Sequence, residues 1–411
     1  MLLARLLDHL VRRGTLRLTD ARGRRYEFGD GTEPKLAMRL TDPSLHWKLA
    51  LHPRLYLGEA YMEGTLVVEE GDVFGLLDLL CSNAAASLGR GMLSPIWNGC
   101  GTFLRTLQQW NPVSKSRSNV AHHYDLSDAL YELFLDRDRQ YSCGYFERPD
   151  DDLETAQDAK KRHIAAKLLL RPGMKVLDIG SGWGGLALYL ARETGADVTG
   201  LTLSEEQHKV ATRRAAQAGL ADKVRFHLRD YRQETGRYDR IVSVGMFEHV
   251  GVPHYGAFLD KLRELLAPNG VALLHSIGRM DGPGATNPWI RKYIFPGGYS
   301  PALSEVLPVI EKTGLWVTDI EVLRLHYAST LRHWRRRFRQ NWDKVKALYD
   351  ERFCRMWEFY LAGSEVAFRH MGHMVFQMQI AKALETVPLT RDYITDWERT
   401  QKLGSTAERA A

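Results

Sequence analysis

The stretch QYSCGYF, residues 140–146, sets one cysteine, Cys143, among two tyrosines and a phenylalanine, with a glycine just after it. A cysteine can serve as a thiolate nucleophile, a metal ligand or a hydrogen-bonding thiol. Metal binding finds no support, because Cys81, Cys100, Cys143 and Cys354 are far apart and form no CxxC pair. The same spacing suggests no disulfide framework, and a reducing cytoplasm fits. Taken alone, a free cysteine is most often inert packing. Its role must come from its surroundings.

A second chemical signal is GSGWGG, residues 180–185, which matches G-x-G-x-x-G between a strand and a helix. A dinucleotide site would also want an acidic residue about 20 positions on, at the end of the second strand, to hold the ribose diol. That place reads GLTLS, and the acid is missing. Instead Asp178 stands just before the glycines. A carboxylate there suits a ligand with ammonium and sulfonium centres, which points to S-adenosylmethionine rather than NAD. The glycines let the backbone approach that ligand closely. Asp230, after the third strand, is placed to accept from an adenine amino group. Each of these residues alone could be a turn or helix cap; the combination favours a methyl donor.

The elements that must position these residues follow from the pattern around them. From about 155, helix and strand alternate: TAQDAKKRHIAAKLLL, MKVLDIG, DVTGLTLS, SEEQHKVATRRAAQAG, VRFHLRD, DRIVSVGM, YGAFLDKLRELLAPNG and VALLHSIG. This predicts an α/β, doubly wound parallel sheet, with ligands at the carboxyl ends of its strands, followed by another helix and strand and a long helical tail. Residues 1 to about 85 carry a leucine-rich amphipathic helix, strand candidates TLRLTD, RRYEFGD and GTLVVEEG, and the helix DVFGLLDLL, a small α+β unit. The polar run 111–119 reads as the linker, giving expected domains at 1–112 and 113–400. The N-terminal helix is expected to pack on its own domain.

The fourth strand of the sheet delivers Glu248 and His249 in SVGMFEHVG, and the fifth delivers His275 and Ile277. The Asn/Asp-Pro-Pro-aromatic turn usual in amino-methylating enzymes of nucleic acids is absent there. With HHYDLSDALYELFLD, QYSCGYFE, VLDIGSGWGG, GLTLSEEQ, DRIVSVGMFEHVG, LLHSIG, PWIRKYIFPGG and HYASTLRHW in order, the sequence strongly resembles the cyclopropane-fatty-acid-phospholipid synthases and the related mycolic acid cyclopropane synthases from about 120 to about 385. The resemblance implies a Rossmann-like methyltransferase domain with helical additions. It implies methyl transfer from S-adenosylmethionine to a cis double bond of a phospholipid acyl chain, then proton loss and ring closure. It also implies that Cys143, Gly245, Glu248, His275, Ile277 and Tyr327 hold a bicarbonate ion that removes the proton. Tyr141 and Ser142 would flank the donor, Gly180, Ser181 and Gly182 its methionine part, Thr202, Leu203, Ser204 and Gln207 its ribose, and Asp230 with Tyr231 its adenine. Ser181 departs from the cysteine that many relatives carry, a small-for-small change. The first 110 residues look like the N-terminal domain of full-length bacterial synthases, with a part in lipid capture or in forming a homodimer.

An alkene is a feeble nucleophile, so such a site must orient it, exclude water and stabilise a carbocation. Tyr141, Tyr145, Phe146 and Phe247 are the expected aromatic lining. The 411 residues carry 44% hydrophobic and 26% charged side chains and a net charge of +6, ordinary for a globular chain with a mild preference for anionic surfaces. LRHWRRRFRQNW, residues 331–342, interleaves basic and aromatic residues; it is expected to include contacts from Arg332, Arg335, Arg336 and Arg339 to phospholipid head groups, with a solvated helix face as the plain alternative. The expected partner is thus unsaturated phospholipid, not nucleic acid, met by a cytoplasmic enzyme peripheral on the inner face of the cytoplasmic membrane. Three alternatives remain open: a fatty acid methyltransferase leaving a methyl or methylene branch, a nucleic-acid methyltransferase, and a non-catalytic lipid carrier.

Overall fold

The computed structural model describes residues 2–98 and 127–410, with only the backbone given for 87–98 and 402–410. The expected linker at 111–119, the boundary at 112/113, the first residues of HHYDLSDALYELFLD and Cys100 lie outside the described residues.

The N-terminal unit is α1 (Leu2–Leu10), β1 (Thr15–Thr19), β2 (Arg25–Gly29), β3 (Lys35–Leu40), α2 (Leu45–Leu51), α3 (Pro53–Met62), β4 (Leu66–Glu70) and α4 (Val73–Asn98). Its four strands run in the order β2-β1-β3-β4. The strand β3, KLAMRL, was not foreseen, yet it alternates as a half-buried strand should, turning Leu36, Met38 and Leu40 inward. These three join Leu16 and Leu18 of β1 and Leu3 and Leu7 of α1 in one core, so α1 packs on its own unit as expected.

The second part runs α5 (Asp128–Phe134), α6 (Leu153–Leu168), β5 (Lys175–Ile179), α7 (Gly185–Thr194), β6 (Asp197–Thr202), α8 (Glu205–Gln217), β7 (Val224–Leu228), β8 (Tyr238–Val244), α9 (Tyr255–Leu265), β9 (Leu266–Arg279), α10 (Pro288–Tyr293), α11 (Leu303–Ile310), β10 (Trp316–Val322), α12 (His326–Gln340), α13 (Trp342–Leu348), α14 (Glu351–His370), β11 (His373–Ala381) and α15 (Asp392–Ala410). The seven strands lie in the order β10-β11-β9-β8-β5-β6-β7. From β9 to β7 the pairings are parallel, whereas β11 runs antiparallel to both β9 and β10. The expected helical tail therefore hides a strand. Its sequence HMVFQMQIA is buried throughout from Met374 onward, and a strand covered on both faces loses the alternation that betrays one.

The turn after β5 requires glycine: Gly180 has φ +87°, and a Cβ there would lie 2.9 Å from the Met246 Cβ. The helix α14 joins the two parts, packing against α3 and α4 on one side and α12 on the other. Arg335 of α12 bonds Glu365 of α14 at 3.3 Å and Asp72 at the start of α4 at 3.5 Å, while Arg339 reaches Asp72 at 2.6 Å and Glu358 at 3.3 Å. Two of the four arginines expected at lipid head groups are thus ion-paired between helices, because acidic partners distant in sequence fold onto them. Arg336 is exposed.

Candidate active site

QYSCGYF is an extended segment strapped between α6 and α12. From α12, Thr330 Oγ1 accepts the Gly144 N–H at 3.0 Å and His326 Nδ1 accepts the Phe146 N–H at 2.9 Å. On the α6 side, Ala156 O accepts the Tyr145 N–H at 2.9 Å, and Gln157 Nε2 donates to Ser142 O at 2.9 Å. Lys160 Nζ donates to Gln140 Oε1 at 2.6 Å and to Ser142 Oγ at 2.8 Å. Cys143 is buried, its thiol directed to Gly144 O at 3.3 Å. Burial holds that thiol well above its ordinary pKa, against the pull of Lys160, so it stays neutral. A neutral thiol is a hydrogen-bonding group and not a nucleophile.

Around Cys143 lies an apolar cluster that includes Tyr327, Trp334, Ile277, Tyr141 and Tyr145. The Tyr141 hydroxyl meets that of Tyr360 at 2.9 Å, and its ring tilts over Trp334 at 5.2 Å. Phe247, expected at the site, instead stacks on Tyr255 at 4.3 Å within a separate core, because the short 3-10 turn carrying it points its ring under α9. Phe146 stacks on His333 at 5.6 Å.

The ends of β8 and β9 bring the remaining groups together. Gly245 N donates to His275 O at 2.9 Å, and the Glu248 carboxylate reaches across to accept the Ile277 N–H at 2.8 Å through Oε1. The other oxygen, Oε2, is buried with no hydrogen-bond partner among the described residues. Burial, opposed chiefly by the Ile277 N–H, pushes Glu248 up to about 7. His275 is driven the other way, down to about 3, by burial and by Lys160, Lys167 and His163 nearby. It is therefore neutral at physiological pH.

A cleft opens over the carboxyl ends of β5, β6 and β8, lined by Gly180, Gly182, Thr202, Leu203, Gln207, Asp230, Tyr231 and Gly245, among others. Thr202 Oγ1 donates to Gln207 Oε1 at 2.9 Å, and Ser204 caps α8 by accepting the Gln207 N–H at 3.3 Å. The Asp230 carboxylate faces the cleft but is already engaged by Arg232, at 2.8 and 2.7 Å. Ser181 sits beneath, its hydroxyl on Leu201 O at 3.3 Å. Asp178 is buried next to the glycine turn; its Oδ2 has no partner among the described residues, and burial raises it to about 7 despite Lys160. An orphaned carboxylate at this turn is suited to a cationic ligand. Tyr141 and Ser142 are not in the cleft wall, but Lys160 ties Ser142 to the same neighbourhood.

Residues 112–378 match the family model "Mycolic acid cyclopropane synthetase". The chain belongs to this family. A Pseudomonas putida protein named "Probable fatty acid methyltransferase" is 39% identical over 83% of this chain and 86% of its own. The "Cyclopropane-fatty-acyl-phospholipid synthase" of Escherichia coli K12 is 36% identical over 85% of this chain and 88% of its own. Among solved structures, the mycolic acid cyclopropane synthase CmaA1 complexed with SAH (S-adenosylhomocysteine) and CTAB superposes with a TM-score of 0.62 at 35% identity, covering 67% of this chain and 100% of that one. As a member of the family the chain is an S-adenosylmethionine-dependent enzyme of one-carbon transfer to lipid acyl chains.

Two members of the site escaped the sequence. Lys160 is fully buried, and desolvation lowers it to about 8 even with Asp136 and Asp138 in range. Within DAKKRH it resembles a solvated helix face, and only Gln140 and Ser142 on the facing segment mark it. Gln377 stands directly across from His275 on β11 and donates to its Nδ1 at 3.2 Å. Its strand was itself unforeseen.

Proposed function

We propose that this protein transfers a methylene unit from S-adenosylmethionine to the cis double bond of unsaturated phospholipid acyl chains, forming cyclopropane fatty acids, with bicarbonate bound among Cys143, Gly245, Glu248, His275, Ile277 and Tyr327. The observation that carries this reading is the Glu248 carboxylate, fixed through Oε1 and orphaned at Oε2, at the sheet end where β9 also carries His275. An unsatisfied carboxylate acceptor and a neutral imidazole donor carried at the same end of the sheet suit a species with both a hydroxyl and an anionic oxygen. The donor supplies the methyl group, and the anion, when bound, supplies the base. Gly180 and Gly182 leave room for the donor, and Asp178 answers its positive charge. Tyr141, Tyr327 and Trp334, packed in the apolar cluster around Cys143, supply the water exclusion and the aromatic rings that stabilise a cationic carbon on the acyl chain. The carbon gained by the lipid loses one proton as the ring closes, and Glu248 and His275 hold the acceptor of that proton in place.

A second reading, a methyl or methylene branch without ring closure, is favoured by the name of the Pseudomonas relative. It shares the donor, the lipid and the cation. Proton NMR of lipid from cells expressing the protein separates the two: upfield ring protons support cyclopropanation, and vinylidene or branch-methyl signals in their place overturn it. Residues 1–112 are read as a unit for lipid capture or homodimer contact, 113–400 as the catalytic domain. Among the described residues no helix is long and apolar enough to cross a membrane, so an association with the inner face of the cytoplasmic membrane would be peripheral.

A further inference from the structure

The contact between Gln377 and His275 begins a longer polar chain. An amide can present either its oxygen or its nitrogen to a neighbour, and the neighbour on its far side decides which. Lys167, buried on α6, has only protons to give, and its Nζ lies 2.8 Å from Gln377 Oε1. The amide oxygen must therefore face Lys167, and the amide N–H must face His275 Nδ1. That nitrogen can then only accept, so the one proton of a neutral imidazole belongs on Nε2. Lys167 is itself anchored by Glu321 of β10, whose Oε2 also meets His163 Nε2 at 2.7 Å. His163 Nδ1 in turn meets Glu398 of α15 at 2.8 Å.

We propose that Gln377, locked by Lys167 and Glu321, is a positioning residue that holds His275 as the Nε2–H tautomer, so that the imidazole offers a donor and not a lone pair. The cross-strand register of β9 and β11 makes this possible, since His275 and Gln377 are direct partners on one face. A buried glutamine would be costly unless both ends of its amide were bonded, and both are. The functional consequence rests on the anion-site reading above, whereas the tautomer does not.

The isosteric change Gln377→Glu reverses the logic. A carboxylate accepts from Lys167 with one oxygen and must accept from Nδ1–H with the other, moving the ring proton away from Nε2. Nitrogen NMR of the histidine-labelled full chain, with the His275 signals assigned by their loss in His275→Gln, is expected to show a protonated Nε2 in the native protein and a protonated Nδ1 in Gln377→Glu. The KM for bicarbonate should rise about tenfold or more in that variant, as for loss of a buried hydrogen bond, while S-adenosylhomocysteine binding stays within about twofold. A native His275 protonated at Nδ1 overturns the proposal even if the variant fails to fold, as does an unchanged bicarbonate KM in a folded Gln377→Glu. Native turnover indifferent to bicarbonate, with Nε2 protonated, would overturn the anion site and leave the tautomer assignment standing.

Discussion

Glu248 and Ile277 are joined across the mouth of the sheet: one carboxylate oxygen accepts the Ile277 N–H at 2.8 Å, and this fixes the direction in which the other points. That second oxygen is buried and unpartnered among the described residues. Leaving an acceptor so exposed to the loss of water costs roughly 1–3 kcal/mol, more when charged, which a bound donor can recover. Glu248→Gln keeps the shape but replaces an acceptor with a donor. It should reduce turnover on unsaturated phospholipid vesicles by about 100-fold or more, the scale of a lost acid-base device. Turnover within tenfold of the parent would remove Glu248 from the site.

The same variant has a pH signature. The folded pKa of Glu248, about 7, lies above its unfolded value. The folded state therefore binds the extra proton between those values, and stability is present at low pH and lost as pH rises through 7. Glu248→Gln should be at least as thermally stable as the parent at pH 8, with that advantage shrinking toward pH 5. A variant clearly less stable at pH 8 would contradict the assignment.

Cys143→Ser should keep a measurable share of activity, on the order of a tenth, since a hydroxyl can replace a neutral hydrogen-bonding thiol. Complete inactivity in a normally folded variant, read by circular dichroism and turnover together, would restore a covalent role for the thiol.

Donor binding should release a proton. Asp178 is held near 7 by burial with one oxygen unpartnered, so at pH 6 it is mostly protonated and a cationic ligand would discharge it. Calorimetric titration with S-adenosylmethionine in buffers of different ionisation enthalpy should show release approaching one proton at pH 6 and fading above pH 8. Asp178→Asn should abolish the effect; release unchanged in that variant would place its source elsewhere.

How much of this was legible in the sequence depends on how local each signal was. Strand β5, the glycine turn and Asp178 are contiguous, so the donor cleft could be read directly. Cys143, Glu248, His275 and Tyr327 lie on four separate segments, and only the ordered motifs of a known family linked them. Lys160 was passed over and Arg335 was assigned to lipid head groups for one reason: the partners that hold them, Gln140 and Ser142 for the first and Asp72 and Glu365 for the second, lie on other segments. Phe247 was placed at the site by its neighbours in sequence, whereas a 3-10 turn sends its ring into the core.

The seam between the two parts makes a further expectation. A Cβ added at Gly58 of α3 would come within 2.5 Å of Trp289 Nε1, a side chain that is fully buried. Gly58→Ala should therefore lower the thermal midpoint, by an overpacking cost of about 1–3 kcal/mol that exceeds the helix-propensity gain. A variant as stable as the parent would show that α3 does not press on Trp289 in solution.

The most direct test of the account is turnover on cis-unsaturated phospholipid vesicles after bicarbonate is stripped from enzyme and buffer, and again after it is restored. The account predicts that S-adenosylhomocysteine and ring-bearing lipid both fall on depletion and return with added bicarbonate, with no such return in Glu248→Gln. Full activity in bicarbonate-free solution would contradict it.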